Sequence, residues 1–178
     1  LGEIIKYGII YDARFFQYLE DNIEQVASLA NEAAAHMTAR SCEIKADVVS
    51  QDEKELGLRA ILNFGHTAAH AIEKNTGYTK YNHGEAVAIG MVCAAYISKA
   101  LGMIDQSVVD RVISLILKLH LPIKAQGCTV EDLYRDIFHD KKTVGGKVKW
   151  ILMESIGQVC GNSNVPEEIV KGAMQKIV

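Results

Sequence analysis

Arg59, Asn63, His66 and His70 carry the densest chemical signal in the chain. On one continuous helix at 100° per residue they fall within a stripe roughly 60° wide. Much of the remaining circumference is Ile61, Leu62, Phe64, Ala68, Ala69, Ala71 and Ile72. An ordinary surface helix has a broad polar face and a narrower apolar one. The reversed proportions predict a helix lining an enclosed polar site; a solvated face, or histidines hydrogen-bonded in the core, is the plainer alternative. His66 and His70 stand four apart, which invites a metal. His66-Thr67-Ala68-Ala69-His70 lacks the glutamate of H-E-x-x-H, which disfavours a zincin-type protease. A metal that activates a substrate needs about three protein ligands and an open position. His83, Glu85 and Glu3 are candidates for the remaining ligands, and spacing alone leaves the metal reading level with its alternative.

Two further clusters could contribute. In Tyr81-Asn82-His83-Gly84-Glu85-Ala86, His83 stands at a helix start, where it either caps the helix or lines a cleft. Gly84, Ala86, Ala88, Gly90, Ala94 and Ala95 let another helix backbone come close. Glu3 and Lys6 share one face among Ile4, Ile5 and Ile9, which by itself reads as a surface ion pair. Asp140-Lys141-Lys142 reads as a solvated loop, and Lys45 is unremarkable alone.

The elements that must position these groups are mostly helical. Two prolines in 178 residues leave long stretches open to helix. Helices are predicted over 3–9, over 13–22 with Asp12 as N-cap, over 23–36 and across 38–50. Others follow over 58–75, over 84–101 from an Asn82 cap to Gly102, over 107–119, and over 130–138 behind Thr129. Residues 147–153 alternate as a strand, with 157–160 as its hairpin partner, and a last helix runs over 167–177 behind Pro166. The fold class is therefore mostly α: one multi-helical domain over 1–178 with a small β-hairpin.

Composition narrows the function. Lys plus Arg is 19 and Asp plus Glu is 22, a net charge of −3, which disfavours nucleic acid and acidic membranes as partners. No apolar run approaches the roughly eighteen residues of a membrane span. The four cysteines are scattered without a C-x-x-C pair and read as reduced, small hydrophobes of a cytoplasmic protein.

Taken in order, Gly2-Glu3-Ile4-Ile5-Lys6-Tyr7-Gly8, the segment from Lys45 to Arg59, Leu62-Asn63-Phe64-Gly65-His66-Thr67-x2-His70-Ala71-x-Glu73, Asn82-His83-Gly84-Glu85-Ala86 and His139-Asp140-Lys141-Lys142 resemble the C-terminal half of 3-dehydroquinate synthases, members of the sugar-phosphate cyclases. Gly2 departs from the alanine common in that family. The resemblance implies a zinc-dependent (or cobalt-dependent) and NAD-dependent lyase of the shikimate pathway. It would convert 3-deoxy-D-arabino-heptulosonate 7-phosphate to 3-dehydroquinate and phosphate by oxidation, β-elimination, re-reduction, ring opening and aldol closure. It implies Glu3, His66 and His83 as metal ligands. Lys6, Lys45, Arg59, Asn63, His70 and Lys142 (or Lys141) would be substrate-contacting groups, and Glu55 a supporting one. It further implies a homodimer, and an NAD-binding α/β domain preceding this one. No G-x-G-x-x-G is present, so the chain is expected to be the C-terminal domain alone and inactive without its partner. Other sugar-phosphate cyclases, metal-dependent alcohol dehydrogenases and a non-catalytic helical module are the alternatives.

Overall fold

The computed structural model describes residues 1–52, 57–139 and 148–178. These form nine α-helices and one two-stranded antiparallel sheet. The helices are α1 (Gly2–Ile10), α2 (Ala13–Asp21), α3 (Ile23–Ala27), α4 (Asn31–Gln51), α5 (His66–Asn75), α6 (His83–Ala100), α7 (Gln106–Lys118), α8 (Val130–His139) and α9 (Glu167–Ile177). A 3-10 turn covers Leu58–Asn63, and β1 (Trp150–Ser155) pairs with β2 (Gln158–Asn162). The mostly helical fold with one hairpin expected from the sequence is the one observed.

The centre is α6. Its residues from Ala86 to Ala95 are all buried, so this helix is apolar around its whole circumference. It starts at a capping box: Asn82 Oδ1 accepts from the Glu85 N–H, and Glu85 Oε2 accepts from the Asn82 N–H. Around it pack α1, α5, α7, α9 and β1. Ser98 is fully buried in α6; its hydroxyl donates to Ala94 O and accepts the Met153 N–H, which pins β1 against the helix. The hairpin turn is fixed on its other side by the Gly157 N–H, which donates to Ile9 O at 2.8 Å. Two anchors thus set the sheet beside α1 and α6.

Two predicted boundaries are corrected. The helix expected over 23–36 ends at Ala27 and a new one starts at Asn31. Leu29 adopts a left-handed φ of 54°, and the Ala30 N–H reaches back to Gln25 O, a helix-ending geometry usually supplied by glycine. The helix expected over 58–75 is a 3-10 turn followed by α5, with Gly65 at φ 79° between them.

The four cysteines are free. Complete burial pushes the Cys93 thiol up to about 12, in keeping with a structural rather than a reactive role. Among the described residues no helix is long and apolar enough to cross a membrane.

Candidate metal centre and substrate cavity

Three helix beginnings meet at one point. Glu3 lies in the first turn of α1, His66 is the first residue of α5, and His83 is the first residue of α6. Glu3 Oε1 is 3.6 Å from His66 Nε2 and 4.0 Å from His83 Nε2. The ligand atoms of the three residues all lie within 4.8 Å of one another. Close glycine contacts allow this convergence. A Cβ on Gly2 would overlap the Gly84 carbonyl oxygen, and one on Gly90 would overlap that of Gly65. Glycine therefore brings α1 and α5 onto α6, and the departure at Gly2 has a packing consequence that the sequence did not reveal.

Hydrogen bonds fix what each side chain presents. His66 Nδ1 sits 3.1 Å from Phe64 O, and a carbonyl only accepts, so Nδ1 carries the proton and Nε2 keeps its lone pair. His83 Nδ1 sits 2.9 Å from Glu73 Oε1, with the same consequence. Glu3 is divided. Its Oε2 accepts from Lys6 Nζ at 2.7 Å, while Oε1 is shielded from solvent and has no hydrogen-bond partner. Three electron-pair acceptors thus face one another with no donor between them. An orphaned buried acceptor is costly, and a divalent cation is the species that would satisfy all three. Two imidazoles and a carboxylate suit zinc or cobalt, and the residues fit the metal that the family resemblance implies.

Electrostatics agree. Lys6 is 2% exposed, and its ammonium is held by Glu3 and by Leu62 O at 2.8 Å. Burial lowers its pKa from the usual lysine value; the Glu3 carboxylate opposes this, and the nearby Lys45 charge adds to the lowering. The pKa of His66 is also lowered, first by burial and then by the Lys6 charge, with Phe64 O and Glu3 opposing. At neutral pH its ring is accordingly in the neutral form that ligates metals.

Beside this centre opens a cavity of about 310 Å³ lined by Ala60, Asn63, His66, Thr67, His70, Lys149 and Ile151. His70 and Asn63 are exposed to it, and the His70 ring lies 5.6 Å from that of His66. His70 does not join the ligand cluster. Lys45, exposed on α4, is near enough for its charge to bear on Lys6. Arg59 is different: it is half-buried, its backbone N–H donates to Asp52 Oδ2, and it is not among the residues lining the cavity. The single-stripe expectation is therefore corrected. In a 3-10 turn, at about 120° per residue, four residues leave Arg59 roughly 120° from Asn63. Lys141, Lys142 and Glu55 lie outside the described residues.

Two groups at this site were missed in the sequence. Glu73 is quoted there only as part of a motif, and Lys149 only as part of a strand. Glu73 continues the His66, His70 spacing along α5, but its bond to His83 crosses to α6, and Lys149 reaches the same cavity from the hairpin side, which no spacing in the chain announces. A second cavity of about 490 Å³ opens between α6, α7 and α9, with Tyr96, Lys99, Gln106 and Lys176 on its wall. It lies away from the histidines.

Fold and site together define a helical domain with a candidate metal centre at the edge of a polar cavity. Residues 1–143 match the family model described as 3-dehydroquinate synthase C-terminal, and the chain belongs to that family. It is 46% identical over 172 residues to a 3-dehydroquinate synthase of Shewanella sp. (strain MR-4), and 48% identical over 177 residues to that of Synechocystis sp. (strain PCC 6803). These alignments cover 96% and 98% of this chain but 48% and 49% of the relatives, so the chain spans about half their length. Among solved structures, 2-epi-5-epi-valiolone synthase from Streptomyces hygroscopicus, with NAD+ and Zn2+ bound, superposes with a TM-score of 0.84 at 23% identity, over 99% of this chain and 49% of that one. A 2-deoxy-scyllo-inosose synthase complexed with carbaglucose-6-phosphate, NAD+ and Co2+ gives 0.76 at 21%, over 99% of this chain and 51% of that one. At those identities the likeness speaks to the fold.

Proposed function

We propose that this chain is the metal- and substrate-binding half of an enzyme that converts 3-deoxy-D-arabino-heptulosonate 7-phosphate to 3-dehydroquinate and phosphate. The carrying observation is the convergence of Glu3 Oε1, His66 Nε2 and His83 Nε2 with no donor between them. Those three residues would hold zinc or cobalt. When bound, the cation supplies a Lewis acid that acidifies the hydroxyl to be oxidised. The chain's own groups bind and orient the substrate. Asn63 and His70 offer neutral hydrogen bonds in the cavity, and family resemblance assigns Lys6 and Lys45, neither of which lines it, to the carboxylate and phosphate. Family resemblance adds Arg59, from outside the cavity wall, and Lys142 (or Lys141) to the same set. NAD+ would bind mainly on a separate nucleotide domain, which supports the expectation that residues 1–178 alone do not turn over.

The test joins this chain to an upstream nucleotide domain of the family and follows phosphate release. Release that needs NAD+, stops with a chelator and is absent from the 178-residue chain is the expected result. Turnover by the chain alone would overturn the division of labour. Cyclisation only of a sugar phosphate lacking the carboxylate would move the enzyme to a sister cyclase. The substantially higher identity to proteins named 3-dehydroquinate synthase than to the solved sister cyclases favours the first reading.

Lys149 adds a cation to the wall of the cavity that Asn63 and His70 also line. Gly161, which pairs with Ile151 across the hairpin, leaves room for the lysine stem: a Cβ there would meet Lys149 Cε. Lys149→Ala in the joined enzyme is expected to raise KM about tenfold with kcat within about twofold, the loss of one charge-assisted contact to an anionic substrate. Initial-rate kinetics against substrate concentration check it, and an unchanged KM would remove Lys149 from the substrate set.

A further inference from the structure

Glu73 is a carboxylate buried to 9% exposure in α5, and its Oε1 lies 2.9 Å from His83 Nδ1 on α6. A buried carboxylate is unfavourable unless a partner compensates it. Here the partner is the back of one of the imidazoles whose front faces Glu3. The two histidines are held by different means. The His66 side chain is only 14% exposed and hydrogen-bonds its own preceding turn at Phe64 O. The His83 side chain is 50% exposed, so packing holds its ring less tightly than that of His66. An ionised carboxylate only accepts, so it fixes the proton on Nδ1 and the lone pair on Nε2, the atom 4.0 Å from Glu3 Oε1.

We propose that Glu73 is the positioning residue of the metal centre: through its hydrogen bond to Nδ1 it sets the tautomer and ring orientation of His83, and so completes the site for a divalent cation. The inference rests on the metal reading above. Its geometry is that of a ligating histidine whose far nitrogen donates to a carboxylate. Glu73 also ties the two helices at their functional end, since its bond crosses from α5 to α6.

The test measures zinc affinity of the 178-residue chain by competition with a chromophoric chelator, together with the visible absorption of bound Co2+. Glu73→Ala is expected to weaken zinc binding about 10- to 100-fold and to alter the Co2+ spectrum. Glu73→Gln, whose amide oxygen can still accept from Nδ1, should recover most of that loss. Glu73→Asp, too short to reach, should not, and it carries the test if the alanine variant does not fold. A purely structural role would lower the thermal midpoint of the metal-free chain while leaving affinity and spectrum unchanged, and that result overturns the proposal. His83→Ala separates the two levels. If it leaves zinc affinity unchanged, the metal reading itself falls; if it weakens zinc while all Glu73 variants bind normally, only the positioning role falls.

Discussion

Replacing His66 by alanine will lower zinc affinity by about 100- to 1,000-fold and abolish turnover of the joined enzyme. Structural zinc sites with four ligands are worth roughly 10–16 kcal/mol, so one strong ligand corresponds to about 3–4 kcal/mol. His66 is the best-held of the three donors here. It opens α5 behind Gly65, is largely buried, and has its Nδ1 proton committed to Phe64 O. Its loss leaves Glu3 Oε1 and His83 Nε2 without the third electron-pair donor of the cluster. The metal-free fold should change little by comparison, since the His66 ring packs against His70 and His83 rather than the apolar core. Chelator competition and the thermal midpoint of the metal-free variant, measured together, check both halves. A variant that binds zinc as tightly as the parent would overturn the ligand assignment.

Local signals were legible because they act locally: Asp12 caps α2 by accepting from the Arg14 and Phe15 N–H groups, Asn82 and Glu85 close their capping box, and Gly102 ends α6 at φ 72°. The hairpin was legible from alternation. The break after Ala27 was not, because Leu29 takes the left-handed position that glycine usually marks. Nor was the break before His66. Leu58 to Asn75 has the composition of one helix, and only the contact of Gly65 with Gly90 makes a turn there more favourable than a continuous rod. The site followed the same division. Glu3, His66 and His83 came from a family likeness, since they lie on three helices and no spacing relates them. The helical-stripe argument reached Asn63, His66 and His70 as cavity residues, although the helix it assumed is interrupted, and it misplaced Arg59 because the interruption changes the angle per residue. Glu73 acts across a helix pair, which is a tertiary fact.

That same helix pair yields the prediction with the largest effect on stability. Gly90→Ala should destabilise the chain by about 3 kcal/mol or more, lowering the thermal midpoint by roughly 6–12 °C for a protein of this size. Alanine is ordinarily the better helix former, so propensity alone predicts a gain of roughly 1 kcal/mol. Packing decides otherwise. The new methyl would overlap the Gly65 carbonyl oxygen and lie 2.9 Å from its carbon and 3.1 Å from Ala69 N. All three are backbone atoms and cannot rotate away. Helix α5 must retreat by on the order of 1 Å before carbon and oxygen reach ordinary contact. Gly65 cannot absorb the strain by changing conformation, because its φ of 79° is already what joins the 3-10 turn to α5. The retreat carries His66 away from His83, so zinc affinity should fall along with stability, even though position 90 touches neither ligand. Leu117→Ala, at a half-exposed position on α7, is the control and should shift neither. If Gly90→Ala raised the midpoint, the close approach of α5 and α6 would not be what sets the spacing of the two histidines. A lower midpoint with unchanged zinc affinity would mean that the metal centre draws its rigidity from Glu73 and the Asn82 cap rather than from the packing beneath it.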